Sequence, residues 1–143
     1  MPNISRSALV PYSCEQMYQL VDDITSYKDF LPWCGESVEH KRDNEMVEAT
    51  VTIAKGSINK AFSTRNILQA NEVIEMQLLD GPFKKLHGFW RFEALSETDC
   101  KISLDLDFEF SNMLVGLAIG PIFNQVANTL VDSFVERAKS KYK

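Results

Sequence analysis

From Cys100 to Phe110 six apolar side chains, Cys100, Ile102, Leu104, Leu106, Phe108 and Phe110, alternate with Lys101, Ser103, Asp105, Asp107 and Glu109. An extended chain turns successive side chains to opposite faces, so this period of two predicts a strand with one apolar and one wet face. Such strands belong to antiparallel sheets covered on one side only. Val47, Ala49, Val51 and Ile53 alternate with Glu48, Thr50 and Thr52 in the same way. Turn residues at Arg42-Asp43-Asn44, Lys55-Gly56-Ser57, Ala70-Asn71-Glu72, Asp80-Gly81-Pro82 and Ser96-Glu97-Thr98-Asp99 punctuate the middle of the chain. Strands are therefore expected near 36–42, 46–54, 58–69, 73–79, 86–95 and 99–110, joined as successive hairpins, after a first strand at Ile4 to Val10.

Helical signals stand at the two ends. Ser13 with Gln16 fits a capping box, and Met17, Leu20, Val21 and Ile24 follow at helical spacing. A second short helix is expected from about Ile24 to Phe30, stopped by Pro32. Ser111 or Asn112 can cap a last helix. In it Ile122, Phe123, Val126, Ala127, Leu130, Val131, Phe134, Val135 and Ala138 share one side. Proline lacks an amide hydrogen, so a bend or break is expected near Gly120-Pro121. Gly116 and Gly120 lower the helical propensity there, giving a stretch that could flex to admit a ligand.

These elements predict an α+β fold: a curved antiparallel sheet of about seven strands around a long C-terminal helix, with two short helices after the first strand. At 143 residues the chain is a single domain, 1–143. A helix is ~10–12 Å wide and a seven-stranded sheet is ~30 Å wide. The sheet must curl to be covered, and a curled sheet around one helix leaves an apolar hollow beside it.

Net charge is −5, which does not suggest a DNA-binding protein. Cys14, Cys34 and Cys100 are odd in number and widely spaced, against a disulfide framework or a zinc site and in keeping with a reducing cytoplasm. Cys34, beside Trp33, reads as a free thiol in an exposed corner. No signal peptide is visible. The longest run without a polar side chain, Met113 to Phe123, would reach only ~17 Å as a helix, so no transmembrane segment is expected. His40 and His87 lack metal-ligand spacing, and no hydrolase, dinucleotide or phosphate-loop motif occurs. The residues point to binding rather than to an enzyme.

Aromatic residues gather where loops should open. Phe30, Leu31, Trp33 and Phe83 are expected at the mouth of the hollow, with Tyr27, Trp90, Phe92, Phe108, Phe123, Val126 and Leu130 in the cavity itself. Tyr27, Asn66, Arg65 and Gln125 are candidate polar anchors. Lys55, Lys60, Arg65, Lys84, Lys85 and Arg137, with the terminal Lys139, Lys141 and Lys143, form a candidate cationic surface.

The segments ALVPYSCEQMYQLVDDITSYKDFLPWC, KAFSTRN, LLDGPFKKLHGFWRFEAL, DFEFSN and LVDSFVERAKSKY, in this order and spacing, resemble the coenzyme-Q-binding branch of the START-like superfamily of polyketide cyclases and lipid-transport proteins. The resemblance implies a helix-grip fold and no required cofactor. It implies two roles: binding ubiquinone in support of respiratory electron transport, and binding the large ribosomal subunit to block its association with the small one. It defines no catalytic residues. A polyketide cyclase or dehydratase acting in the same cavity is the alternative it leaves open.

Overall fold

The computed structural model describes residues 3–142. In chain order they form β1 (Asn3–Val10), α1 (Cys14–Asp22), a 3₁₀ turn (Ile24–Ser26), α2 (Tyr27–Phe30), β2 (Cys34–Arg42), β3 (Met46–Lys55), β4 (Ile58–Gln69), β5 (Val73–Asp80), β6 (Phe83–Ala94), β7 (Cys100–Phe110) and α3 (Met113–Lys141). The strands make one seven-stranded sheet in the order β1-β7-β6-β5-β4-β3-β2. Every pairing is antiparallel, as the successive hairpins require.

The alternating segment becomes the buried spine of this sheet. Cys100, Ile102, Leu104, Leu106 and Phe108 are buried while the residues between them are only partly so. β7 pairs with β6 on one side, Leu104 opposite Trp90, and with β1 on the other, Leu106 opposite Ile4. This last pairing joins the first strand to the last.

The caps form as their residues demand. The Ser13 hydroxyl accepts from the Gln16 amide at 3.1 Å, and the Gln16 side chain accepts from the Ser13 amide at 3.0 Å. Asn112, not Ser111, caps α3, accepting from the Val115 amide at 2.9 Å. The second helix is shorter than expected: Ile24–Ser26 is a 3₁₀ turn and only Tyr27–Phe30 is α-helical.

The expected break at Gly120-Pro121 does not occur, since α3 runs unbroken for 29 residues. Pro121 removes only the bond to the Leu117 carbonyl. Both residues are exposed, so water can take that carbonyl in place of the missing amide. The continuous helix also alters the hydropathy reading. By length and composition α3 could cross a membrane, with mean hydropathy 1.4 over its most apolar window. Here its buried residues, Ile119, Phe123, Val126, Ala127, Val131, Phe134 and Ala138, pack under the sheet instead.

Two glycines let the sheet curl tightly. A Cβ on Gly88 would lie 2.8 Å from both the Leu106 and Met76 side chains, so three strands close up where this side chain is missing. Gly81 has φ +149°, and its Cβ would lie 2.7 Å from that of Phe62. The β5–β6 turn thereby tucks against β4.

Candidate functional site

The inward faces of β3 to β7 converge on α3 without meeting it everywhere, leaving a cavity of about 80 Å³. Ala49 and Val51 of β3, Phe62, Thr64 and Asn66 of β4, Met76 of β5, Leu86 and Trp90 of β6, and Leu104 and Leu106 of β7 form its sheet wall. Phe123, Val126, Ala127, Leu130 and Phe134 of α3 close one side, and Val21, Ile24, Tyr27 and Trp33 close the end. Five strands, three α-helices and the 3₁₀ turn facing one space show that the sheet is curled around the helix.

Of the residues expected at the mouth or in the lining, Tyr27, Trp33, Trp90, Phe123, Val126 and Leu130 reach the cavity. Phe30, Leu31, Phe83, Phe92 and Phe108 do not. Phe83 and Phe108 pack on Phe123 with ring centroids 4.9 Å and 4.7 Å away, filling the interior beyond one end of the cavity. Phe92 packs edge-on to Tyr18 under α1. Leu31 is fully buried. Phe30 lies outside, against Tyr27 and Phe134. Period two reports which face a side chain takes. It does not report how far along the curled strand the hollow extends.

The same limit hid Thr64, while Asn66, one of the four candidate anchors, does reach the cavity. They alternate with Ser63 and Arg65, so hydrophobicity does not say which set points inward. The register with β3 does, because Asn66 lies opposite Val47, which is buried. Asn66 is itself buried and accepts from the Thr64 hydroxyl at 3.0 Å. The Tyr27 hydroxyl donates to the Val21 carbonyl. Burial, then the nearby Asp22, holds its pKa well above the usual tyrosine range, so it stays a neutral donor. The other two candidate anchors face elsewhere. Arg65 pairs with Glu48 at 2.8 Å on the outer face, and Gln125 accepts from Lys55 at 2.7 Å.

Lys55 and Gln125 belong to a second hollow, a groove of about 270 Å³ between the α2–β2 connection, β3 and α3. Pro32, Thr129 and Ser133 complete it, and Trp33 and Val126 belong to both spaces. The Trp33 ring thus stands between cavity and groove. Its indole N–H is buried with no hydrogen-bond partner among the described residues, an arrangement that costs about 1–3 kcal/mol.

The candidate cations occupy separate elements. Lys55 and Lys60 flank the β3–β4 turn, Arg65 lies mid-strand, Lys84 and Lys85 begin β6, and Arg137 is near the end of α3. Lys84 pairs with Glu109 at 3.4 Å. Lys60 and Lys85 are exposed. Lys143 lies outside the described residues. Cys34 is buried, not exposed, and its thiol donates to the Glu36 carbonyl at 3.3 Å. His40 and His87 bond to Thr50 and Glu75 respectively. Among the described residues no three His, Cys, Asp or Glu side chains come together as metal ligands would.

Residues 10–135 match the family model described as polyketide cyclase / dehydrase and lipid transport. The chain is 51% identical over 143 residues to the ribosome association toxin RatA of Escherichia coli, covering 99% of this chain and 90% of that one. It is 26% identical over 144 residues to the mitochondrial coenzyme Q-binding protein coq10 of Schizosaccharomyces pombe, covering 96% and 87%. A START superfamily protein from Mycobacterium smegmatis superposes with TM-score 0.80 at 19% identity, covering 96% of this chain and 97% of that one.

Proposed function

The chain belongs to the polyketide cyclase / dehydrase and lipid transport family, and from that premise we propose that it is a non-enzymatic binding protein whose cavity takes an isoprenoid quinone of the ubiquinone type. The observation that carries this reading is the cavity wall. It is apolar except for Tyr27, Thr64, Asn66 and the edge of Trp33, and among the described residues it contains no carboxylate, histidine, cysteine or lysine. Apolar surface sequesters a greasy tail at ~0.8 kcal/mol per methylene, and the few polar groups offer hydrogen bonds to ring oxygens. A cyclase or dehydratase needs a poised acid or base. Tyr27, held neutral and already donating to a backbone carbonyl, is poorly placed to serve as one, so this wall favours binding over catalysis.

The size of the cavity sets a condition. At about 80 Å³ it falls short of the ~300–1,000 Å³ typical of ligand pockets. Joined to the groove across Trp33 it enters that range. The ligand is therefore admitted by rotation of Trp33, which opens the cavity onto the groove.

Both tryptophans of the chain, Trp33 and Trp90, line the cavity. Titration with a short-tailed ubiquinone is expected to quench the fluorescence of both. Protein purified from a quinone-containing host is expected to yield quinone on solvent extraction and mass spectrometry. No quenching together with no extracted lipid rejects the reading.

The likeness to a ribosome association toxin supports a second role that uses the surface and not the cavity: binding the large ribosomal subunit through exposed cations such as Lys60 and Lys85, so blocking subunit association. Co-sedimentation with large subunits that weakens steeply with salt is expected. No co-sedimentation at low salt rejects it.

A further inference from the structure

Cys14 and Cys100, 86 residues apart, meet sulfur to sulfur at 3.0 Å, the Cys14 thiol donating to Cys100. Both are free thiols. Cys14 is the first residue of α1, half-buried behind the Ser13 cap. Cys100 is the first residue of β7 and fully buried, flanked by Val10 of β1 and Ala94 of β6. Their surroundings hold them in register. Tyr142 donates to the Gln16 carbonyl at 3.0 Å, and Tyr18 packs edge-on against Phe92. A disulfide is about 2.05 Å long, so the two sulfurs need to approach by only about 1 Å. Burial, then the neighbouring thiol, pushes the Cys100 pKa up to about 12, so Cys14, the accessible member, is the one that meets an oxidant first.

We propose that Cys14 and Cys100 are a redox site, joined by a reversible intramolecular disulfide when the protein meets a peroxide. The Cys14 sulfur, as thiolate, attacks one peroxide oxygen. The O–O bond breaks, Cys14 becomes a sulfenic acid, and the other oxygen leaves as water after taking up the thiol proton. The Cys100 sulfur then attacks Cys14. The S–S bond forms, the S–OH bond breaks, and hydroxide leaves with the Cys100 proton as a second water. Two thiols have given two electrons to one peroxide, and a dithiol reductant reverses the change. Cys34, at the start of β2, the edge strand farthest from β1 and β7, takes no part.

The bond would tie the start of α1 to the sheet. The same helix carries Val21, and the turn after it carries Ile24, both in the cavity wall. The site is independent of what the cavity holds, so it stands or falls apart from the quinone reading.

The test treats the full chain with hydrogen peroxide, alkylates it in denaturant and maps the peptides. Reactive thiols are expected to fall from three to one, with a Cys14–Cys100 linked peptide in monomeric protein. The melting temperature should rise by several degrees, and dithiothreitol should reverse both changes. The Cys34→Ser variant should form the same linked peptide, and Cys14→Ser, altered only at the half-buried member, should not. Three thiols still reactive after peroxide, a link through Cys34 or between molecules, or Cys14 passing to sulfinic acid without a linked peptide would each overturn the proposal.

Discussion

The Arg137 guanidinium lies over the Phe30 ring, 4.9 Å from its centroid, tying the last turns of α3 to the end of α2. Phe30 in turn packs on Phe134 and Tyr27. Substituting Arg137→Ala is expected to cost about 0.5–1 kcal/mol, the worth of an exposed cation–π contact. This appears as a fall of roughly 1–4 °C in the melting temperature. Arg137→Lys should retain part of it. An unchanged melting temperature for Arg137→Ala would show that the contact does not anchor α2.

Trp33→Phe keeps a ring between cavity and groove and deletes the unpartnered N–H. Loss of apolar area and relief of an orphan donor oppose each other, so stability should change by less than about 1 kcal/mol. Quinone exchange, followed through the remaining Trp90, should speed up because the smaller ring turns aside more easily. Exchange at the parent rate would count against Trp33 as the gate.

Gly81 and Gly56 offer a controlled pair. Gly81→Ala must place a Cβ 2.7 Å from that of Phe62 at φ +149°. It is expected to destabilise by about 1–3 kcal/mol and to disturb the cavity, since Phe62 is in its wall. Gly56→Ala, at φ +60° with nothing within 4 Å of the new atom, should cost only the backbone strain of about 1–2 kcal/mol. Urea denaturation of both variants checks the order. Equal losses would mean that backbone strain alone, and not the contact with Phe62, makes Gly81 necessary.

Stability of the reduced protein should fall at alkaline pH. The Cys100 thiol is raised to about 12 by burial first and then by the Cys14 thiol, and the Tyr27 hydroxyl is raised by burial first. A raised folded value favours the neutral group. Its contribution is complete below the unfolded value, about 8.5 for cysteine and about 10 for tyrosine. It is lost as pH climbs from there toward the folded value. Urea denaturation from neutral pH to about pH 11 should show this decline, with Cys100→Ala removing part of its onset and the Cys34 thiol, likewise raised by burial, keeping the rest. Stability that stays flat above about pH 9 would contradict the burial argument.

For the surface role, Lys60→Glu and Lys85→Glu should each weaken co-sedimentation with large ribosomal subunits. Each should also lower the salt slope by roughly one where the side chain meets a phosphate. Quinone quenching should be untouched, because neither residue lines the cavity. A parent-like salt slope in both variants would locate the contact elsewhere.

Much of this was legible in the chain. β7 could be read because its alternation has a single cause, one face against the core and one against water. The Ser13–Gln16 box could be read because a cap is a local bond between neighbours in sequence. Where energies compete over distance, legibility ends. Pro121 reads as a breaker, yet the carbonyl it orphans faces solvent, so the helix continues. Phe83 reads as a residue of the mouth and Phe92 and Phe108 as cavity lining, yet their rings pack against Phe123 or Tyr18 and fill space.

Local periodicity and capping therefore determined most of the elements, their order and, where apolar and polar residues alternate as in β7, the face they bury, since those depend on residues within a few positions of one another. Only the tertiary structure decided which inward side chains border empty space. It alone stood Trp33 between cavity and groove and brought Cys14 against Cys100. Such outcomes depend on how tightly seven strands curl around one helix, and that curl is set jointly by contacts such as Gly88 with Leu106 and Met76 and Gly81 with Phe62, which no single stretch of sequence contains.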